Sequence, residues 1–140
     1  MTLLLDTNAC IALINGKPAS VRTRFQKAIA GGATVFVPSI VAFELWHGVA
    51  KSSHQEANRH RLEAFFAGPV AMLPFEEEDA KVSGAVQAAL EADGKPIGAY
   101  DLLIAGQVLR SKFTLVTSNV REFARVTRIK GLAWQDWGKP

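Results

Sequence analysis

The chain has 140 residues, 49% of them hydrophobic and 21% charged, which suits one globular domain with its own core and excludes a disordered or low-complexity class. Cys10 is the only cysteine, so an intramolecular disulfide framework and a multi-cysteine zinc site are excluded. The net charge of +3 permits nucleic-acid binding without requiring it, and the longest uncharged run, residues 28–43, is broken by Gly31, Gly32 and Pro38, short of the ~20 apolar residues that span a bilayer. Met1 leads directly into Thr2-Leu3-Leu4-Leu5-Asp6 with neither a basic leader nor a long apolar stretch, and a cytoplasmic location is expected.

Leu3-Leu4-Leu5 has the continuous apolar character of a strand buried on both faces, and Asp6 stands at its carboxyl end. Asn8 is expected to cap a short helix through Ile11, Leu13 and Ile14, ended by Asn15-Gly16. Pro18 and Ser20 open a second helix carrying Val21, Phe25 and Ile29. Thr34 to Val37 is β-branched and aromatic, a second strand, and a helix follows from near Ile40. On a helical wheel Ile40, Phe43 and His47 share the apolar side, with Glu44 beside them. A helix with Leu62, Phe65 and Phe66 inward precedes a third strand, residues 70–73.

Glu76 to Asp79 supply negative charge at the start of the next helix, which carries Val82, Val86, Ala89 and Leu90. After a loop at 96–98, Tyr100, Leu103, Ile104, Gln107 and Val108 have helical spacing, with Asp101 in the first turn. Residues 114–117 form a fourth strand, Ser118-Asn119 begins a short turn or helix through Glu122-Phe123, and residues 132–134 can add a last strand. This alternation predicts an α/β domain over residues 1–140, with a mainly parallel sheet of four or five strands flanked by helices.

Ligands of such sheets collect outside the carboxyl ends of the strands. Asp6 and Asn119 follow strands, Glu44 lies shortly after one, and Asp101 precedes one, so all four can converge on one edge. Carboxylates gathered in a cleft repel one another, and a hard divalent cation relieves that repulsion through oxygen ligands. Such a cation can activate water and stabilise a phosphorane, the requirements of phosphodiester hydrolysis. Each acid also has a local explanation: Asp6 as a helix cap, Glu44 as a partner for Lys51, Asp101 as a dipole-stabilising residue, Asn119 as a turn residue. His54 and His60 suit surface or cap roles better than zinc, and Cys10, without an identifiable base, suits the core. Trp46, Trp134 and Trp137 could stack on bases, packing being the readier role for the first two.

The segments Leu3-Leu-Leu-Asp-Thr-Asn8, Ser39-Ile-Val-Ala-Phe-Glu-Leu-Trp-His-Gly48, Ala99-Tyr-Asp-Leu-Leu-Ile-Ala105 and Leu115-Val-Thr-Ser-Asn-Val-Arg-Glu-Phe123 resemble, in order and spacing, the successive motifs of PIN-domain ribonucleases. Over essentially the whole chain the likeness is to the VapC-type toxins of toxin–antitoxin pairs. The resemblance implies Mg²⁺- or Mn²⁺-dependent endonucleolytic cleavage of RNA, with Asp6, Glu44 and Asp101 as the acidic metal site. Asn119 falls where many relatives carry aspartate; an amide there can orient water or substrate but binds a cation less strongly, and Glu122 is a candidate outer substitute. Thr7, Asn8 and Thr117 resemble the hydroxyl and amide groups that fix the carboxylates. The family also implies a homodimer and a cognate VapB-like antitoxin whose C-terminal segment occupies the cleft.

Between Arg110 and Lys130 six basic residues face the single acid Glu122. Arg110, Lys112, Arg121, Arg125 and Arg128 could therefore hold RNA phosphates. Two other function classes fit part of the pattern. A non-catalytic RNA-binding or regulatory module would be consistent with Asn119, and a nuclease assay with Mn²⁺ separates it. An aspartyl-phosphate phosphotransfer domain would use Asp6 after the first strand, and covalent phosphate on Asp6 would reveal it.

Overall fold

A computed structural model describes residues 1–139. Its five strands are β1 (Thr2–Leu5), β2 (Thr34–Pro38), β3 (Ala71–Leu73), β4 (Thr114–Val116) and β5 (Trp134–Gln135). They form one sheet in the order β3-β2-β1-β4-β5, parallel at every pairing. The helices are α1 (Thr7–Asn15), α2 (Ala19–Ala30), α3 (Ser39–Ala50), α4 (Gln55–Phe66), α5 (Glu77–Ala92), α6 (Ala99–Ser111) and α7 (Val120–Lys130). No helix among the described residues is long and apolar enough to cross a membrane.

The register explains why the centre is apolar. Leu3 pairs with both Val35 and Thr114, Leu4 with Phe36 and Leu115, and Leu5 with Val116. Leu3, Leu4 and Leu5 are buried because helices cover both faces of β1, each contributing roughly 2 kcal/mol of transfer free energy. From β1 the chain steps outward through β2 and β3, then crosses to the other side for β4 and β5. That reversal opens a crevice at the carboxyl ends of β1 and β4, where the backbone is not covered by a crossover.

Several local expectations change. Asp6, not Asn8, caps α1: its Oδ1 accepts from the Ala9 amide at 2.8 Å. The aspartate lies one position before the helix, where a carboxylate meets the free amides of the first turn, whereas Asn8 is already helical and exposed. On α3 the buried face is Val41, Ala42 and Leu45, and Phe43 and His47 point outward. The helix is apolar nearly all round, so a wheel does not select its inner face. The final helix is a full 11 residues, Val120–Lys130, with Phe123 and Val126 inward.

Helices α5 and α6 pack closely. A Cβ on Gly106 would stand 2.9 Å from the Ser83 Cα, which leaves only glycine at that crossing. At the start of α5, Glu76 and Asp79 form the reciprocal capping box that the acidic run implies. Asp79 does more: it is fully buried, and its Oδ1 accepts from Arg110 Nε at 2.6 Å.

Candidate functional site

Four elements bring oxygen-bearing side chains to the carboxyl edge of the sheet. Asp6 follows β1 and is 3% exposed. Glu44 comes from the second turn of α3, and its Oε1 accepts from the Thr7 hydroxyl at 2.8 Å. Thr7 therefore ties the α3 acid to the end of β1. Asp101 lies in the first turn of α6, half-buried, and Glu122 in the first turn of α7.

Thr117 and Asn119 connect these acids. The Thr117 hydroxyl, buried just past β4, accepts from the Asn119 amide at 2.9 Å and stands near enough to Asp6 to lower its proton affinity. The Asn119 side chain then donates through Nδ2 to Asp101 Oδ2 at 3.1 Å and to Glu122 Oε2 at 3.0 Å. Glu122 Oε1 accepts from the Gly98 amide at 3.2 Å, immediately before α6. Thr7 and Thr117 thus occupy orienting positions, Asn119 bridges two carboxylates, and exposed Asn8 makes no such contact in the described structure.

The electrostatics are strained in one direction. Burial pushes the Asp6 carboxyl up from an ordinary 3.8 to about 6, opposed by the Thr117 and Ala9 hydrogen bonds and reinforced by repulsion from Glu44 and Asp136. Burial, contact with Glu122, and the charges of Asp6 and Glu44 raise Asp101 well above the usual carboxylate range. Its partner Glu122 is held down, first by sharing a hydrogen bond with Asp101 and further by Gly98, Asn119 and the charge of Arg125. Among the described residues no basic side chain forms an ion pair with Asp6, Glu44 or Asp101.

This donor set fits a hard divalent cation: it is all oxygen, anionic beyond what hydrogen bonds compensate, and set at one crevice. No three His, Cys, Asp or Glu side chains among the described residues are drawn into a finished ligand cluster. The carboxylates sense one another electrostatically without meeting at a point, the arrangement mutual repulsion produces.

The basic residues are mostly engaged elsewhere. Arg110 sits at the far end of α6 on Asp79, Arg125 Nη1 donates to the Pro96 carbonyl at 2.6 Å, and Arg128 pairs with Asp93. Lys112 closes α6 beyond Arg110 in a left-handed conformation, away from the edge that carries Asp101. Arg121, exposed beside Asn119 at the start of α7, is the one of the five adjacent to the crevice without an intramolecular bond among the described residues. Trp137 is not a stacking surface: it is buried 6.3 Å from the Phe25 ring, and its Nε1 donates to Gln135.

Two features escaped the sequence. Asp136, just past β5, adds negative charge near Asp6; its only signal was position after the last, two-residue strand. A cavity of about 300 Å³ also opens between α1, α3 and α4, lined by Ile11, Ile14, Leu45, Val49 and Leu62, with Glu44 and Arg61 at its wall.

The PIN domain family profile matches residues 3–129. The chain is 36% identical over 137 residues to the tRNA(fMet)-specific endonuclease VapC of Shigella flexneri, covering 98% of each protein. It is 35% identical to ribonuclease VapC2 of Rickettsia felis, covering 99% of this chain and 100% of that one. Among solved structures, it superposes on a chain of VapBC2 from Rickettsia felis bound to a promoter DNA fragment with a TM-score of 0.89, at 34% identity, covering 98% of this chain and 99% of that one. For DNA-bound VapBC from Salmonella typhimurium the TM-score is 0.87, at 34% identity, with 98% of each chain covered. With similarity over the whole chain joined to close superposition on the VapBC chains, the chain belongs to the PIN-domain family and to its VapC-type ribonucleases.

Proposed function

We propose that this protein is an endoribonuclease of a toxin–antitoxin pair, hydrolysing RNA phosphodiester bonds with Mg²⁺ or Mn²⁺ held by Asp6, Glu44 and Asp101. The observation that carries this is the convergence of Asp6 and Asp101, both with raised proton affinity, with a Thr7-held Glu44 at one crevice where no basic side chain pairs with them among the described residues. When bound, the cation would polarise the scissile phosphate and make attacking water more acidic. Thr7 holds Glu44 by its Oε1, so that carboxylate enters the crevice with one orientation. Asn119 holds Asp101 Oδ2 and leaves the other oxygen of that carboxyl for the cation. Arg121 is the basic side chain we assign to an RNA phosphate.

Asp6 is a poor acceptor for a covalent phosphate, being 3% exposed and committed to the α1 cap. The cytoplasm, where RNA and a VapB-like antitoxin would both be met, is the expected compartment. The apolar cavity beside Glu44 is a fitting seat for the antitoxin segment, with Arg61, whose Nη2 donates to Asn15 Oδ1 at 2.9 Å, at its wall. A homodimer is also expected, and the exposed Phe43 and Tyr100, with ring centroids 5.5 Å apart, offer it apolar surface next to the crevice. Sedimentation of the isolated chain checks the dimer.

The deciding experiment incubates the purified protein with structured RNAs and Mn²⁺. Transfer RNA comes first because the Shigella relative is named for one. Discrete cleavage that vanishes with chelator and in folded Asp6→Asn and Asp101→Asn is expected. Cleavage that persists in excess chelator refutes the assignment; RNA binding without cleavage would favour a non-catalytic module.

A further inference from the structure

The turn between α5 and α6 leads into Asp101; two backbone bonds, from Gly94 and Lys95, close its start, and Ile97 is its one side chain packed against the core. Residues 91–96 are exposed, Gly94 has a φ of +68°, and Gly98 offers no capping side chain to α6. Three residues on successive turns of α7 also fasten it. Glu122 takes the Gly98 amide, Arg125 takes the Pro96 carbonyl, and Arg128 takes Asp93. The middle bond, at 2.6 Å, is charge-assisted and runs from a rigid guanidinium to the backbone two residues before Gly98.

We propose that Arg125 is a positioning residue: by holding the Pro96 carbonyl it fixes the start of α6, and through it Asp101, against the β1 edge. The inference deepens the nuclease assignment and rests on it. Arg125 is thereby moved from the phosphate-binding group that its charge suggested to the neighbouring loop, whose backbone engages one of its five N–H donors. A carboxylate displaced by a fraction of an ångström loses its alignment with Asp6 and Glu44, and misplacement on that scale slows catalysis steeply.

Arg125→Met and Arg125→Lys separate the two roles. The measurements are Mn²⁺ binding by calorimetry, amide hydrogen exchange at Gly98 and Leu102, and the kcat and KM for RNA as a function of salt. In Arg125→Met, Mn²⁺ affinity and kcat should each fall about tenfold or more. KM and its salt dependence should stay put, and exchange at Gly98 should speed up. Arg125→Lys, which keeps the charge and one donor, should recover much of both. A raised KM with a salt slope shallower by about one, at unchanged Mn²⁺ affinity, would overturn the proposal in favour of a phosphate contact. Unchanged Mn²⁺ affinity with unchanged exchange would overturn it as well. If Arg125→Met does not fold, the same measurements on Arg125→Lys decide. Should the wild type cleave no RNA at all, the nuclease assignment fails while Mn²⁺ binding and exchange still test the clamp.

Discussion

Replacing Asp6 by asparagine should make the metal-free protein more stable while destroying its activity. The native state holds the Asp6 proton with a pKa of about 6 against an ordinary 3.8. Relative to the unfolded chain, an ionised Asp6 therefore costs stability. At about 1.4 kcal/mol per tenfold in proton affinity the cost is about 3 kcal/mol once the group is fully ionised. Because the native pKa is the higher one, this stability is present below pH 4 and is lost as pH rises through 6. Asparagine caps a helix about as well as aspartate and can accept the Ala9 amide and the Thr117 hydroxyl with its oxygen. Its amide protons would face the acids Glu44 and Asp136, which now repel Asp6. Thermal melts in chelator should thus nearly coincide at pH 4 and separate above pH 6, with Asp6→Asn higher by about 6–12 °C for a domain of this size. Saturating Mn²⁺ should narrow the gap by stabilising the wild type alone. Equal melting temperatures at pH 8, or a variant less stable at every pH, would show that burial and repulsion do not load this carboxylate as argued.

Thr7→Val removes the hydroxyl that holds Glu44 Oε1 and should weaken Mn²⁺ binding by about 10–100-fold with little change in the melt; calorimetry measures it, and unchanged affinity would detach Thr7 from the site. Gly106→Ala should cost about 1–3 kcal/mol, read from the denaturant midpoint, because α5 and α6 must separate to admit a methyl group against Ser83. Arg110→Met leaves the fully buried Asp79 without its partner and should lower the melting temperature while the salt dependence of RNA binding stays the same; a shallower slope would return Arg110 to the phosphate contacts.

The parts of this molecule that could be read in advance are those where a local pattern is interrupted. Three leucines stop at Asp6, and an apolar helix admits one acid at Glu44. Polar intrusions of that kind place the crevice without coordinates, because a carboxylate at a strand end has to be used or compensated. What stayed hidden is non-local or too short to have a period. Asp136 lies past a strand of two residues, and no periodicity resolves so short an element. Asp79 and Arg110 are 31 residues apart, and the cap at α5 already explains the acid. In α7, by contrast, Val120, Phe123 and Val126 recur at helical spacing with bases between them, so its continuation past Phe123 is legible in the sequence. The same bases invite a nucleic-acid interpretation, yet Arg110, Arg125 and Arg128 are tied to acceptors on other elements.

Asn119 shows why a position that departs from the acidic pattern can still serve the same centre. An aspartate there would place a further negative charge against Asp101 and Glu122, beside an Asp101 whose proton affinity is already raised. The amide instead spends its Nδ2 protons on one oxygen of each carboxyl, offsetting part of their repulsion before any cation arrives. Its own backbone amide is fixed by Thr117, whose hydroxyl also reaches Asp6, so one residue registers the α6 and α7 acids against the end of β4. A cation held there would have fewer anionic ligands but would meet them in a more fixed arrangement. Affinity given up in charge would be partly recovered as preorganisation, which lowers the cost of gathering the ligands.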